Sequence, residues 1–103
     1  MWNEPTIKQL SEIPGLYETQ EIPPMNRVIH MHFFFGRYDW YIAEYDGKDS
    51  FFAYTILNRD MENAVWGYIS YKELKELNKN GVEITRDINW KPKKASEIPE
   101  IQA

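Results

Sequence analysis

The chain contains no cysteine, and its five glycines are scattered among 103 residues. Without cysteine it has no disulfide framework, no thiol nucleophile and no cysteine-ligated zinc. The glycines form neither a phosphate-binding loop nor a dinucleotide-binding fingerprint. No serine lies in the Gly-x-Ser-x-Gly motif of the serine hydrolases. The sequence therefore carries no motif for these common kinds of catalysis, and we expect a protein that is not an enzyme and takes no cofactor.

Positive charge is also scarce, because 12 Lys and Arg stand against 16 Asp and Glu, which leaves a net charge of −4. Proteins that bind duplex nucleic acid need a basic face that displaces phosphate counterions, so we expect no such partner. The cations Arg86, Lys91, Lys93 and Lys94 form a basic run that is typical of a solvated surface. No apolar stretch approaches the roughly 20 residues that a membrane helix needs. The first residues lack the pattern of a signal peptide, so the expected location is the cytoplasm.

Alternating apolar residues predict an α+β fold built mainly from antiparallel β-sheet, with four or five strands in meander order and one short helix. The predicted strands are 27–35, 40–45, 51–58, 65–69 and 82–90. We expect a single domain over 1–103. It would consist of a Pro-rich N-terminal segment (1–26) with a short helical turn, the sheet and helix (27–90), and an extended tail (91–103). The tripeptide Glu-Ile-Pro at 12–14, 21–23 and 97–99 predicts three points where an Ile docks on the core.

Local signals place the turns and the helix. Asp46-Gly47 predicts a hairpin turn, since the turn needs positive φ. Ser70 followed by Glu73 forms a capping box, which predicts a helix over Tyr71–Asn78 that ends at Asn80-Gly81. Gly67 within its strand predicts a bulge or a close backbone approach.

Aromatic residues are abundant at 16%, with seven Tyr, five Phe and four Trp, and the three middle strands carry half of them. One sheet face uses such residues as core, and a small domain has little room to bury the rest. The surplus predicts a protein-binding hot spot or a platform on which bases stack, unless all of it serves as core and edge packing. The predicted binding residues are Arg37, Trp40, Tyr41, Tyr45, Trp66, Tyr68, Arg86 and Asp87.

His30 and His32 form a second candidate site, a metal centre. Strand alternation places both imidazoles on one face, close enough to share a metal ion such as zinc or iron. Glu44, Asp39 or Asp87 would supply a further ligand, and the spacing does not choose among them. The alternative is that both histidines line a half-covered face of the sheet without a metal.

Eight short motifs over residues 14–98 resemble, in the same order, those of the bacterial Domain of Unknown Function 2958 family. They are Gly15-Leu16-Tyr17-Glu18-Thr19, Asp39-Trp40-Tyr41-Ile42, Glu44-Tyr45-Asp46-Gly47, Phe51-Phe52, Trp66-Gly67-Tyr68, Glu73-Leu74, Arg86-Asp87 and Ser96-Glu97-Ile98. The chain departs from the family pattern at Thr85, where the family has an acidic residue, and in a short loop before Trp40.

The resemblance implies a protein of phages and other mobile genetic elements, although the family has no assigned activity. It leads to the expectation of a small binding module that inhibits a host defence protein by contact. One alternative is a protein that sequesters a cyclic or linear signalling nucleotide, with Arg27, Arg37, Arg86 and Lys91 as the available cations. Another is a metal-dependent hydrolase that uses His30 and His32. Self-association into a homo-oligomer also remains open.

Overall fold

Five strands form one antiparallel sheet in the computed structural model, which describes residues 2–79 and 81–101. In spatial order they are β5 (Val65–Ser70), β4 (Ser50–Ile56), β3 (Tyr38–Tyr45), β2 (Met31–Phe35) and β6 (Thr85–Arg86). The short strands β1 (Val28–Ile29) and β7 (Lys93–Lys94) pair separately. The helices are α1 (Ile7–Ser11) and α2 (Tyr71–Lys79), and 3₁₀ turns span Pro24–Asn26, Met61–Asn63 and Ala95–Glu97. The predicted α+β class and the meander of β2 to β5 are confirmed.

The sheet is covered on both faces, so it has two cores. The first-face core joins strand residues to α2 and to the segments around α1 and β6; its buried members are Ile13, Met31, Phe33, Trp40, Ile42, Phe51, Ala53, Tyr71, Leu74 and Ile84. The second-face core lies under the C-terminal segment and comprises Ile29, Tyr41, Ala43, Tyr54, Ile56, Ala95, Ile98 and Ile101. The alternation predicted for β4 is confirmed, since Phe51 and Ala53 belong to the first core and Tyr54 and Ile56 to the second.

The predicted last strand, 82–90, is wrong in length, because only Thr85 and Arg86 pair with β2. Asp87 ends the strand: its carboxylate accepts the Asn89 N–H at 3.0 Å, and its carbonyl accepts the Trp90 N–H at 3.2 Å. The chain then turns, and the indole of Trp90 donates to the Ile29 carbonyl at 3.0 Å. The tail beyond is therefore not a free extension but returns across the second face through β7.

Two Ile residues of the Glu-Ile-Pro tripeptides are anchors as predicted. Ile13 is buried in the first-face core and Ile98 in the second. Ile22 is 38% exposed, so the prediction is wrong for that copy. Ile22 lies in a segment of turns and bends and belongs to neither core.

Two interruptions change the predicted strand faces. The predicted strand 27–35 breaks at His30: Ile29 packs in the second-face core and Met31 in the first. In β3 the pairing with β4 shifts between Ile42 and Glu44, which marks a β-bulge at Ala43. Gly67, where a bulge was predicted, instead pairs regularly with Ala53.

The start of α2 is capped by Asp49 from the β3–β4 loop. The Asp49 carboxylate accepts the Ser70 hydroxyl at 2.6 Å and the Lys72 N–H at 2.7 Å, and the Asp49 carbonyl accepts the Tyr71 N–H at 2.7 Å. The Ser70 hydroxyl oxygen accepts the Glu73 N–H at 3.1 Å, as the predicted capping box requires. The predicted helix end at Asn80 lies outside the described residues. Gly47 in the β3–β4 loop has a φ of +81°, as the predicted turn needs.

Asp49→Ala is expected to lower the free energy of unfolding by about 1 kcal/mol, the usual cost of a lost helix cap. The Ser70 hydroxyl and the Lys72 N–H lower the pKa of Asp49 below its ordinary 3.8. The carboxylate therefore stabilises the fold above that pH and loses its effect as the pH falls through the folded-state pKa. Urea titrations should show the wild-type advantage shrinking in acid. Glu73→Ala is the comparison, and a larger loss there than for Asp49→Ala would contradict this assignment.

Candidate functional site

An aromatic patch occupies the part of the second sheet face that the C-terminal segment leaves open. It consists of Tyr17, Phe52, Trp66 and Tyr68, with Arg27 lying over it. The rings of Phe52 and Trp66 are stacked at 5.6 Å, and Tyr68 lies 5.1 Å from Phe52 and 6.4 Å from Tyr17. Tyr17 is 60% exposed and Tyr68 56%. Large rings thus lie at the surface although the fold has two cores in which to bury them.

Arg27 is held in place over the patch. Its guanidinium carbon lies 5.3 Å from the Phe52 ring centre and 5.2 Å from that of Trp66, within the range of cation–π attraction. Its Nε donates to the Thr19 carbonyl at 3.2 Å and Nη2 to that of Gln20 at 3.5 Å. The patch therefore presents a fixed positive charge among apolar rings.

A buried carboxylate, that of Glu44, supports the patch from below. Glu44 is only 2% exposed. It accepts the Tyr17 N–H and the Thr19 N–H, each at 2.9 Å, together with the Thr19 hydroxyl. The bulge at Ala43 is what turns Glu44 to the second face, where it lies opposite Phe52. One buried side chain thus fixes the segment that carries Tyr17.

Tyr17 has a φ of +69°, a left-handed conformation that costs a non-glycine residue energy. Residues held this way persist only where the surroundings enforce them, and they cluster at functional sites. Here the hydrogen bond from the Tyr17 N–H to the Glu44 carboxylate holds the backbone in this conformation. In this conformation the Tyr17 ring contacts the Tyr68 ring. Reduced hydration, and then the Tyr17 phenol, raise the pKa of Tyr68 above its usual value.

The predicted binding residues separate into several places. Trp40 and Tyr41 are core residues, 7% and 4% exposed, so they belong to no surface. Tyr45 packs on Phe51 and Tyr71 of the first face. Arg37 lies in the β2–β3 turn, and Arg86 on β6 donates from Nε to the Asn3 carbonyl at 2.7 Å. Trp66 and Tyr68 are the predicted residues that the fold brings together in the patch.

Asp87, the remaining predicted residue, lies beside His32. The Asp39 carboxylate accepts from Nε2 of His32 at 2.8 Å, and Nδ1 lies 3.9 Å from the Asp87 carboxylate. The imidazole is parallel to the Tyr41 ring at 4.5 Å and has the Trp90 ring at 5.2 Å. Burial, and then the Asp39 carboxylate, raise the pKa of Tyr41. The side chain of His32 is 12% exposed, so this cluster joins β2, β3 and the turn after β6 rather than presenting a surface.

His30 lies at the break between β1 and β2, so the regular alternation that predicted a shared face for His30 and His32 does not hold there. His30 lines a small cleft with Glu12, Arg86, Asp87 and Trp90. Among residues 2–79 and 81–101, no three His, Cys, Asp or Glu side chains lie close enough together to hold a metal ion. Glu44, one of the predicted ligands, is committed to Tyr17 and Thr19.

Acidification is expected to destabilise the protein through His30. Burial lowers the pKa of His30 below its ordinary 6.5, and the Glu12 carboxylate partly opposes this shift. The unfolded chain therefore takes up the proton at a higher pH than the folded chain. The contribution of neutral His30 is complete above pH 6.5 and is lost as the pH falls through the folded-state pKa. His30→Gln should show a smaller decrease in unfolding free energy from about pH 7 to about pH 5. Equal decreases in the unfolding free energy of the wild type and of His30→Gln would contradict the lowered pKa of His30.

The cations proposed for nucleotide binding are not gathered in one pocket. The cleft that contains Arg86 measures about 150 Å³ and includes the carboxyl groups of Glu12 and Asp87, which disfavour phosphate. Ligand pockets usually measure about 300–1,000 Å³. A different open cleft, of about 520 Å³, carries positive charge beside the start of α2; it is lined by Tyr45, Lys48, Asp49, Tyr71, Lys72 and Lys75. Sequence patterns do not reveal this grouping, because its members come from a loop, a strand end and a helix.

No helix within residues 2–79 and 81–101 is long and apolar enough to span a membrane. No protein-family model, curated protein sequence or solved structure matches the chain. The resemblance to the Domain of Unknown Function 2958 family stays a prediction.

The predicted binding residues did not include four residues of the site, namely Tyr17, Arg27, Glu44 and Phe52. The motif Gly15-Leu16-Tyr17-Glu18-Thr19 drew attention to the right segment but not to its partner Glu44. Strict alternation predicts that Glu44 lies on the first face with Trp40 and Ile42. The β-bulge at Ala43 places it on the second face instead, so the sequence pattern does not indicate that Glu44 contacts Tyr17. Phe52 stood out as a strand aromatic, but alternation alone does not tell which aromatic residues the tail covers.

Proposed function

We propose that this chain is a non-enzymatic binding module that contacts a protein partner through the aromatic patch. The observation that carries this proposal is the exposure of Tyr17 and Tyr68 on a rigid base. Tyr, Trp and Arg are the residues most enriched at the energetic centres of protein interfaces. All three residue types lie together in the aromatic patch. Rings that are already held in place lose little conformational entropy when a partner binds.

The patch suits a protein partner better than a nucleic acid. A stacking platform for single strands combines rings with cations that track the phosphates. The guanidinium over these rings, that of Arg27, is already bonded to two carbonyl groups. The chain also has a net charge of −4, which repels a polyanion. An open aromatic surface with one fixed charge instead favours a complementary protein surface.

The partner that we propose is a bacterial defence protein, which the chain would inhibit within the cytoplasm of the host cell. This part of the proposal rests on the resemblance to a family of mobile elements. An acidic protein is suited to cover a basic site on such a partner. Arg27 would then lie at the centre of the contact and the acidic residues at its margin.

Capture of partners with immobilised protein tests the proposal. Tyr68→Lys adds a charge to the patch on an exposed side chain, so the fold should tolerate it. Ile7→Lys is the matched control, because Ile7 is 88% exposed and lies on α1, away from the patch. We expect a specific bacterial protein to bind the wild type and Ile7→Lys, and binding to Tyr68→Lys to fall at least about tenfold. Equal capture by all three proteins would overturn the assignment of the patch.

The lysine-lined cleft beside α2 supports nucleotide sequestration as a second candidate. Tyr45 and Tyr71 offer ring surfaces, and Lys48, Lys72 and Lys75 offer charges for phosphate. Lys75 is partly committed, since its Nζ lies 3.3 Å from a Glu4 carboxylate oxygen. If the chain sequesters a nucleotide, a cyclic or linear nucleotide should raise the melting temperature of the wild type by several degrees. The variant Lys72→Glu should not show this rise. A panel of nucleotides without any shift would eliminate it.

A further inference from the structure

Strand β5 is an open edge of the sheet. Its inner side pairs with β4, and among residues 2–79 and 81–101 no strand pairs with its outer side. Natural proteins protect such edges with charges, prolines, bulges or very short strands. The strand at the opposite edge, β6, has two residues, whereas β5 has six, Val65–Ser70, with no charge and no proline. Its pairing with β4 is regular throughout. The β5 edge therefore has none of these protective features.

The backbone hydrogen bonds define which groups this edge presents. The Tyr71 N–H donates to the Asp49 carbonyl at 2.7 Å, one residue beyond the pair Ser50–Ser70. In an antiparallel ladder, alternate residues direct their N–H and C=O groups to the same side. Counting back from Tyr71, the groups of Trp66, Tyr68 and Ser70 point away from β4. They are available to another strand.

The side chains of β5 are nearly symmetric about Gly67. The sequence Val65-Trp66-Gly67-Tyr68-Ile69 reads, in both directions, as a β-branched residue, an aromatic residue and the central glycine. An antiparallel copy in the register of Gly67 opposite Gly67 pairs Trp66 with Tyr68 of the second copy, and Val65 with Ile69 of the second copy. Aromatic pairs and β-branched pairs are favourable across strands. This register also joins the outward backbone groups of Trp66 to those of Tyr68 in the second copy.

We propose that two copies of this chain associate by antiparallel pairing of their β5 edges, with Gly67 opposite Gly67 at the twofold axis. The two sheets become one. Their aromatic patches lie on the same side, since Trp66 and Tyr68 share the second face in both copies.

The dimer is expected to be weak. A stable interface usually buries about 800 Å² on each partner, and one pair of short strands with its neighbouring side chains covers less than that. The association constant should therefore be measurable only at high protein concentration. This inference does not depend on the identity of the proposed partner, because pairing of β5 edges leaves the face with Tyr17 accessible.

Substitution at Gly67 separates self-association from folding. A Cβ atom built at Gly67 has no heavy atom within 4 Å, so the monomer has room for a larger side chain. Across the twofold axis, however, the two residues at position 67 face each other directly. Gly67→Lys and Gly67→Glu should each weaken dimerisation at least tenfold, because like charges oppose each other. Gly67→Val, the matched control, should dimerise at least as strongly as the wild type.

Sedimentation equilibrium over a wide range of concentration measures these constants, and thermal unfolding of each variant confirms folding. Mixing Gly67→Lys with Gly67→Glu should restore the dimer, since unlike charges then meet. A wild type that stays monomeric at every concentration would overturn the proposal. A Gly67→Lys variant that dimerises like the wild type, or a mixture no stronger than its components, would also overturn it. Loss of the partner in the capture experiment would leave this result unchanged, so the two proposals fail separately.

Discussion

Replacing Glu44 with alanine is expected to lower the free energy of unfolding by about 3 kcal/mol, since buried donors left without an acceptor cost about 1–3 kcal/mol each. The substitution removes the acceptor of the Tyr17 N–H, the Thr19 N–H and the Thr19 hydroxyl. The segment can relax and recover part of the loss by meeting water. That relaxation releases Tyr17 from its positive φ, so the aromatic patch should lose one ring even where the sheet stays folded.

Chemical denaturation followed by fluorescence measures this loss, and near-ultraviolet circular dichroism reports the tyrosine environment. Glu21→Ala is the control, since Glu21 is an exposed acid of the same N-terminal segment. It should change stability by less than about 0.5 kcal/mol, as surface substitutions usually do. If Glu44→Ala were as stable as Glu21→Ala, the carboxylate would not be the support of the patch.

Phe33→Ala is expected to cost about 4 kcal/mol, within the usual range for removing a buried phenylalanine. Phe33 has no exposed surface and lies at the centre of the first-face core. Its ring stacks on Trp2 at 5.4 Å and lies 6.1 Å from that of Phe51. Truncation leaves a cavity between the N-terminal segment and the sheet. Tryptophan fluorescence should therefore report unfolding at a much lower concentration of urea.

The neighbouring Phe34 provides a close control for Phe33. It lies on the same strand, is 36% exposed and stacks on His32 at 5.4 Å. Phe34→Ala should cost less than about 1 kcal/mol, because little buried area is removed. Similar losses for the two substitutions would mean that the faces of β2 are assigned incorrectly.

Sequence patterns were sufficient for the strands whose alternation is unbroken. Phe51 to Ile56 alternate strictly, and the two faces of β4 follow directly from that period. The patterns failed at His30 and Ala43, where an interruption or an extra residue reverses the faces. Such interruptions depend on contacts with distant segments, such as the Thr19 segment that meets Glu44. A period of two cannot reveal them.

The candidate site was only partly predictable for a related reason. The excess of aromatic residues indicated that some rings stay outside the cores, and Tyr68 is 56% exposed, whereas Trp66 is partly buried. Trp40 and Tyr41 were indistinguishable from them by sequence, since all four lie on strands. Tyr41 is a buried member of the second-face core together with Ile98 of the C-terminal segment, whereas Trp66 packs against that core and is only partly buried. Docking of a tail is a tertiary event without a local signal.

Site-specific crosslinking tests the proposed binding role of the patch most directly. A photoreactive phenylalanine analogue at position 68 should form a covalent product with a specific bacterial protein in living cells, and the same analogue at position 7 should not. Both side chains are exposed, at 56% and 88%, so access to light and to chance contacts is similar. Crosslinking at position 68 that is absent, or that yields the same products as position 7, would contradict a protein partner bound at the aromatic patch.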